Sequence, residues 1–366
     1  MNPIQQLHAL GQSIWYDNIQ RKLLENGELA GMAARGEIRG VTSNPSIFHN
    51  AIAKSHDYDA ALLPLAASGA SKEAIYESLA IADIQAACDL FLPLYAETNG
   101  GDGYVSLEVS PYLAHDTEGT AADASRLWEQ VNRPNLMIKI PATLEGLPAI
   151  TRTIAAGINV NVTLIFSIGR YEAVMEAYMA GLEARLAAGR EINRIASVAS
   201  FFVSRIDTAV DRRLEELGGE RALALRGKIA VASAKAAYVR HKAVFSGERW
   251  AKLAGEGARI QRALWASTST KNPAYPDTKY VDELIGPDTV NTVPPKTLAA
   301  FRDHGTAAPT LESNLESAHA ALDELAALGI SLDAVTQELE TQGVEAFANA
   351  FTALLTSIEE KRQGNR

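Results

Sequence analysis

Eight short runs of strand-forming residues recur along this 366-residue chain, and stretches of helical periodicity separate them. The runs are "SIWYDNI" (13–19), "IRGVTSN" (38–44), "YVSLEVS" (104–110), "LMIKIPA" (136–142), "INVNVTLIF" (158–166), "RIASVAS" (194–200), "ALWAS" (263–267) and "DTVNTV" (288–293). The first also reads as a helix. Amphipathic helical patterns fill 72–95 and 170–188, two helices are expected in the Ala-rich stretch 207–258, and further helices in the tail 310–360. Strands alternating with helices predict parallel β/α units. Eight such units predict an α/β chain folded as one closed (β/α)8 TIM barrel over residues 1–366, with extra C-terminal helices. An open doubly wound sheet is the alternative.

Polar residues recur at period two inside these runs. In a strand, residues i, i+2 and i+4 share a face. Ser106, Glu108 and Ser110 therefore oppose Val105, Leu107 and Val109. Asn159, Asn161 and Thr163 oppose Val160, Val162 and Leu164. Thr42 pairs with Asn44, Asp17 with Trp15, and Lys139 with Met137 in the same way. Strands between helices are covered on both faces, so the polar set is expected to point into the barrel. Buried polar groups need a partner or a ligand. Asp17, Asn44, Glu108, Thr163 and Ser200 fall in the later half of their runs, the end where such barrels place catalysis, and Lys139 and Asn161 lie at or next to the middle of theirs.

Lys139 is the sharpest of these, an amine between Leu136, Met137, Ile138 and Ile140. One reading is a structural lysine paired with Glu108 or Asp17. The other is a Schiff-base nucleophile, since burial disfavours an ammonium and frees an amine to attack a carbonyl. The remaining candidates have plain structural readings too. Asn44-Pro45 is helix-start punctuation. Arg205 has Asp207 and Asp211 nearby in sequence, and Lys271 reads as a solvated loop lysine. Asn161-Val162-Thr163 is a glycosylation sequon on a buried strand.

Composition removes other classes. Thirty-four basic against 44 acidic residues give a net charge of -10 without a long basic block, so no nucleic-acid partner is expected. Cys88 is the single cysteine, which leaves no intrachain disulfide and suits a reducing cytoplasm. The N-terminal "MNPIQQLHALGQSIW" lacks the basic and apolar regions of a signal peptide. No apolar run approaches the ~18 residues of a membrane span. The seven histidines have no HxH or HExxH spacing, so no metal site is expected, and there is neither a Walker loop nor GxGxxG.

Two long segments occur in the order found in one known family. "GVTSNPSIF" (40–48) and "IKIPATLEGLPAI" (138–150) resemble the two transaldolase signatures, and "INVNVTLIFS" (158–167) and "SFFVSRID" (200–207) are similar to further segments of it. The resemblance runs from about residue 13 to 293. It implies a cofactor-free, metal-free class I aldol transfer. A dihydroxyacetone unit passes from sedoheptulose 7-phosphate to glyceraldehyde 3-phosphate, giving erythrose 4-phosphate and fructose 6-phosphate. By this likeness Lys139 is the Schiff-base lysine on the fourth strand, Glu108 the acid/base residue on the third, and Asp17 the base on the first. Thr163 helps Glu108 place a catalytic water. Asn44 and Asn161 hold the dihydroxyacetone hydroxyls, with Thr42 and Ser106 beside them. Ser200 and Arg205 belong to the substrate pocket, the arginine facing phosphate.

The chain departs from this pattern after the seventh strand. Where relatives carry a second phosphate-binding arginine after an Ala-Ser pair, Ala266-Ser267 leads into "TSTKN". Lys271 or Ser269 takes that place, and lysine lacks the fork of arginine. The length of 207–258 and of the tail resembles a longer branch of the family, sometimes fused to a second enzyme. Small sugar phosphates are the expected partners, with no membrane and a homodimer as the expected assembly. Two rival functions use the same residues. One is an aldolase that releases free dihydroxyacetone from fructose 6-phosphate. The other is a non-catalytic sugar-phosphate-binding barrel.

Overall fold

The structure is a computed structural model and describes residues 2–364. Seven strands form one curled parallel sheet: β1 (Gln12–Tyr16), β2 (Val105–Glu108), β3 (Leu136–Pro141), β4 (Val160–Ile165), β5 (Ser197–Phe202), β6 (Arg262–Ala266) and β7 (Thr289–Val293). Their order is β1-β7-β6-β5-β4-β3-β2. Every strand from β3 onward pairs with its predecessor in the chain, and β7 returns to β1. Helices cover the outside, so the strands are buried along nearly their whole length. The first run, which also read as a helix, is a strand.

The run 38–44 is not a strand. Val41 alone makes isolated parallel bridges, to Tyr16 on one side and Val105 on the other. The backbone of the run still hydrogen-bonds on both sides, the Arg39 and Thr42 N–H groups donating to Ile14 and Tyr16 and the Val41 N–H to Tyr104. A Cβ on Gly40 would lie 2.8 Å from the Trp15 ring and from the Tyr104 carbonyl oxygen. Asn44, with extended backbone, already caps the helix Pro45–Ala53. Lys139 and Glu108 therefore sit on the third and second strands of the sheet rather than the fourth and third.

The stretch 207–258 lies within four helices rather than two: Ser204–Leu217, Glu220–Leu223, Ile229–Val244 and Glu248–Gly255. Gly218 and Gly219 both take positive φ, 69° and 83°, and stop the first of them. The tail forms Leu315–Ala327 and the 31-residue helix Leu332–Arg362. The latter packs on the helix Pro45–Ala53 and on β4. Gly343 permits this approach, since a Cβ there would already touch Leu164 Cδ2 at 3.1 Å. One helix among the described residues, Lys72–Glu97, is long and apolar enough by composition to cross a membrane, where the sequence suggested none. In this fold its Ile75, Leu79, Ile84 and Phe91 are buried in the core.

Candidate active site

Lys139 is the fourth residue of β3, and the strand register sets its neighbours. Glu108 of β2 pairs with Lys139, and Lys139 pairs with Asn161 of β4. In-register residues of adjacent strands share a face, so a carboxylate, an amine and a carboxamide stand side by side. The turn after β3 is built tightly. Gly146 opens the next helix so close to the strand end that a Cβ would collide with the Pro141 carbonyl oxygen.

The Lys139 amine is 5% exposed. Nζ donates to the Ser43 carbonyl at 3.1 Å and lies 3.2 Å from Glu108 Oε2. Phe347, from the long C-terminal helix, places its ring centroid 5.4 Å from Nζ. Burial pushes the Glu108 carboxyl up, opposed by Lys139. Burial thus favours the protonated form of Glu108 more than water would.

Asp17 follows β1 directly, its N–H donating to the Val293 carbonyl of β7. Burial raises its carboxyl; the Thr42 hydroxyl, which donates at 2.7 Å, and the charges of Lys139 and Lys271 oppose that rise. Thr42 also shares a 2.6 Å hydroxyl contact with Thr292. Thr163 sits at a break in the β4–β5 register between Val162 and Ile165, where Leu164 takes φ 59°. Such bulges re-aim side chains beside active sites. The Thr163 hydroxyl is buried without a partner among the described residues, yet Thr163 lines the cavity above Lys139.

That cavity measures about 230 Å³ and gathers Asp17, Thr42, Asn44, Lys139, Thr163, Ser200, Arg205 and Lys271. Asn161 and Ser106 do not line it. They form a buried chain beneath, with Asn161 Nδ2 donating to Ser106 Oγ at 3.0 Å and Ser200 Oγ donating to Asn161 Oδ1 at 2.7 Å. Asn44 spends its carbonyl oxygen on the Ile47 N–H, so its NH2 is the part left for a ligand.

Arg205 forms no ion pair with Asp207 or Asp211. Asp207 accepts from Tyr280 and the Ala230 N–H, and Asp211 from Tyr275 and the Gly227 N–H. Burial pulls the Arg205 guanidinium down. Burial and the nearby Arg205 charge do the same to Lys271, which donates to Ser269. Two neighbouring cations that form no ion pair among the described residues, at one cavity rim, suit an anionic group. Sequence reasoning missed Phe347, Thr292 and the Ser43 carbonyl. Thr292 alone had a signal, a polar residue within the alternating "TVNTV".

The family model described as Transaldolase/Fructose-6-phosphate aldolase matches residues 14–358. A protein of Parafrankia sp. (strain EAN1pec) named Transaldolase is 51% identical over 360 residues, covering 98% of this chain and 98% of its own. One of the same name from Thiobacillus denitrificans (strain ATCC 25259 / T1) is 51% identical over 358 residues, 98% of this chain and 100% of its own. Another, from Trichodesmium erythraeum (strain IMS101), is 48% identical over 370 residues, 98% of this chain and 97% of its own.

Proposed function

The chain belongs to the transaldolase/fructose-6-phosphate aldolase family, and from that premise we propose that it transfers a dihydroxyacetone unit between sugar phosphates through an imine on Lys139. The activity is that of a transferase of the non-oxidative pentose phosphate pathway. The observation that carries the residue assignment is the buried pair Lys139–Glu108, held in register, with Lys139 facing one cavity together with Asp17 and two cations that form no ion pair among the described residues. A non-catalytic binder has no use for an amine in that position.

The Lys139 amine attacks the C2 carbonyl of the ketose phosphate. Glu108 supplies the proton with which the carbinolamine oxygen leaves as water, and Thr163, whose hydroxyl is unpartnered, helps hold that water. Asp17 then removes the proton of the C4 hydroxyl, and the C3–C4 bond breaks. The iminium takes up the electron pair as an enamine, and the aldose departs. Raising Asp17 by burial suits it to this task, because a base needs a pKa near working pH. The Asn44 NH2 group binds a hydroxyl of the three-carbon unit. Asn161, Ser106 and Ser200 support the amine from below. Arg205 and Lys271 hold the phosphate. The acceptor aldehyde enters and the steps reverse.

Val41 bridges both edges of the seven-stranded sheet, which supports a closed (β/α)8 barrel as the finer description. A single domain in the cytoplasm fits the same reading. Incubation with fructose 6-phosphate, borohydride reduction and peptide mass spectrometry test the chemistry. A reduced three-carbon adduct is expected on Lys139, and Lys139→Ala is expected to lose turnover. No adduct from folded protein, beside a working control, overturns the assignment. Free dihydroxyacetone measured with and without an acceptor separates transfer from the hydrolytic aldolase.

A further inference from the structure

A second cavity, of about 280 Å³, lies on the other side of the Lys139–Glu108 pair. Its inner end is Ser43, Asn44 and Glu108. Its walls join apolar side chains, Phe48, Leu107 and Leu127 among them, to the ion-paired Glu77, Asp123 and Arg126, and its rim carries Glu73 and Tyr112, which is 55% exposed. Lys139 lines the first cavity and Glu108 the second, so the 3.2 Å contact between them crosses the partition. Asn44 borders both. The C-terminal helix roofs both as well, with Phe347 over the first and Phe351, one turn on, over the second.

The proposed reaction makes one water at this partition for each imine. The carbinolamine C–O bond breaks, the nitrogen lone pair forms C=N, and the Glu108 proton joins the leaving oxygen. Hydrolysis of the product imine takes one water back and returns the proton to Glu108. Meanwhile the sugar phosphate occupies the first cavity. We propose that the second cavity is the passage by which this water leaves and returns, independent of the substrate mouth. Glu77, Asp123 and Arg126 give water polar partners along the passage, as a cavity needs in order to admit water, while Glu108 itself keeps the burial that its proton transfer needs.

This inference rests on the Schiff-base reading, and one pair of measurements separates the two. Ala80, which is buried, and the half-buried Ile81 line the passage and carry no polar group that could pair with Lys139 or Glu108. Ala80→Phe and Ile81→Phe each fill it. Fructose 6-phosphate is incubated with each enzyme in oxygen-18 water, and label at C2 is followed by mass spectrometry after subtracting uncatalysed exchange. Borohydride trapping is run in parallel. With the passage filled, the same water molecule returns to the imine. The variants are therefore expected to trap wild-type amounts of adduct and to exchange the C2 oxygen several-fold more slowly. Wild-type exchange in a variant that retains the adduct overturns the proposal. So does joint loss of adduct and exchange in both variants, because a filled passage leaves the imine intact. Failure of the wild-type enzyme to form any adduct instead refutes the Schiff-base reading.

Discussion

Thr42→Val removes one hydroxyl while keeping the side chain's shape, and its effect follows from a single hydrogen bond. The Thr42 hydroxyl donates at 2.7 Å to Asp17, whose carboxyl burial has already raised. A hydrogen bond to an ionised group is worth about 1.5–3 kcal/mol, and one pKa unit corresponds to about 1.36 kcal/mol. Loss of the donor therefore raises Asp17 further. The sign is fixed by the role: the base must be ionised to take the C4 hydroxyl proton. A higher pKa leaves less of it ionised on the acid side, so the acid limb of the kcat profile moves to higher pH. On the alkaline plateau most of the activity returns. The assay is kcat against pH with fructose 6-phosphate and erythrose 4-phosphate, beside thermal melts that verify folding. An acid limb that stays in place while the rate falls evenly at every pH refutes the assignment of that limb to Asp17.

Arg205→Ala removes a cation with no carboxylate partner among the described residues, so KM for phosphorylated substrates should rise about 10- to 100-fold, the worth of one charge-assisted contact. A loss confined to kcat counts against the phosphate role. Phe347→Ala opens the wall over Lys139 and should raise free dihydroxyacetone relative to transferred product; an unchanged ratio refutes the wall. Asp207 is pushed up to about 6, chiefly by burial, against about 3.9 in an unfolded chain. Its neutral form favours the fold, a contribution complete below pH ~4 and lost as pH rises through about 6, worth about 3 kcal/mol in all. Asp207→Asn should therefore gain stability relative to the parent between those pH values, by denaturant titration; a constant difference contradicts the shift.

The strands were legible where β-branched and apolar residues alternate with polar ones, as in "NVNVTLI" and "VSLEVS". There the period that makes a strand also sorts functional from structural faces. The run "IRGVTSN" shared that composition but forms only the Val41 bridges to its two neighbours, and its end is taken by Asn44, which is committed to the next helix. The partners offered to Arg205 failed on geometry. Asp207, two residues along the helix, faces a different direction, and a tyrosine claims each of Asp207 and Asp211. Asn161 was legible as an inward amide. That it serves as a brace rather than a cavity wall depends on Ser106 and Ser200, which only the register brings to it. Phe347 lies some two hundred residues from Lys139 in an ordinary amphipathic helix, so no local pattern marked it.

The contact of Leu332–Arg362 with β4 has a consequence for the order of events during synthesis. Every polar side chain assigned to the chemistry lies at or before residue 271, and the last strand ends at Val293. A nascent chain can therefore assemble its reactive amine and acids while the mouth above them still lacks one side. The wall arrives only when the helix carrying Gly343 and Phe347 docks against Leu164 and Phe166. That docking closes a loop of nearly two hundred residues, whose entropic cost grows only slowly with length. Chemical competence and shelter from solvent thus come from separate stretches of polypeptide, and a protease that clipped the last helix would leave the first while removing the second.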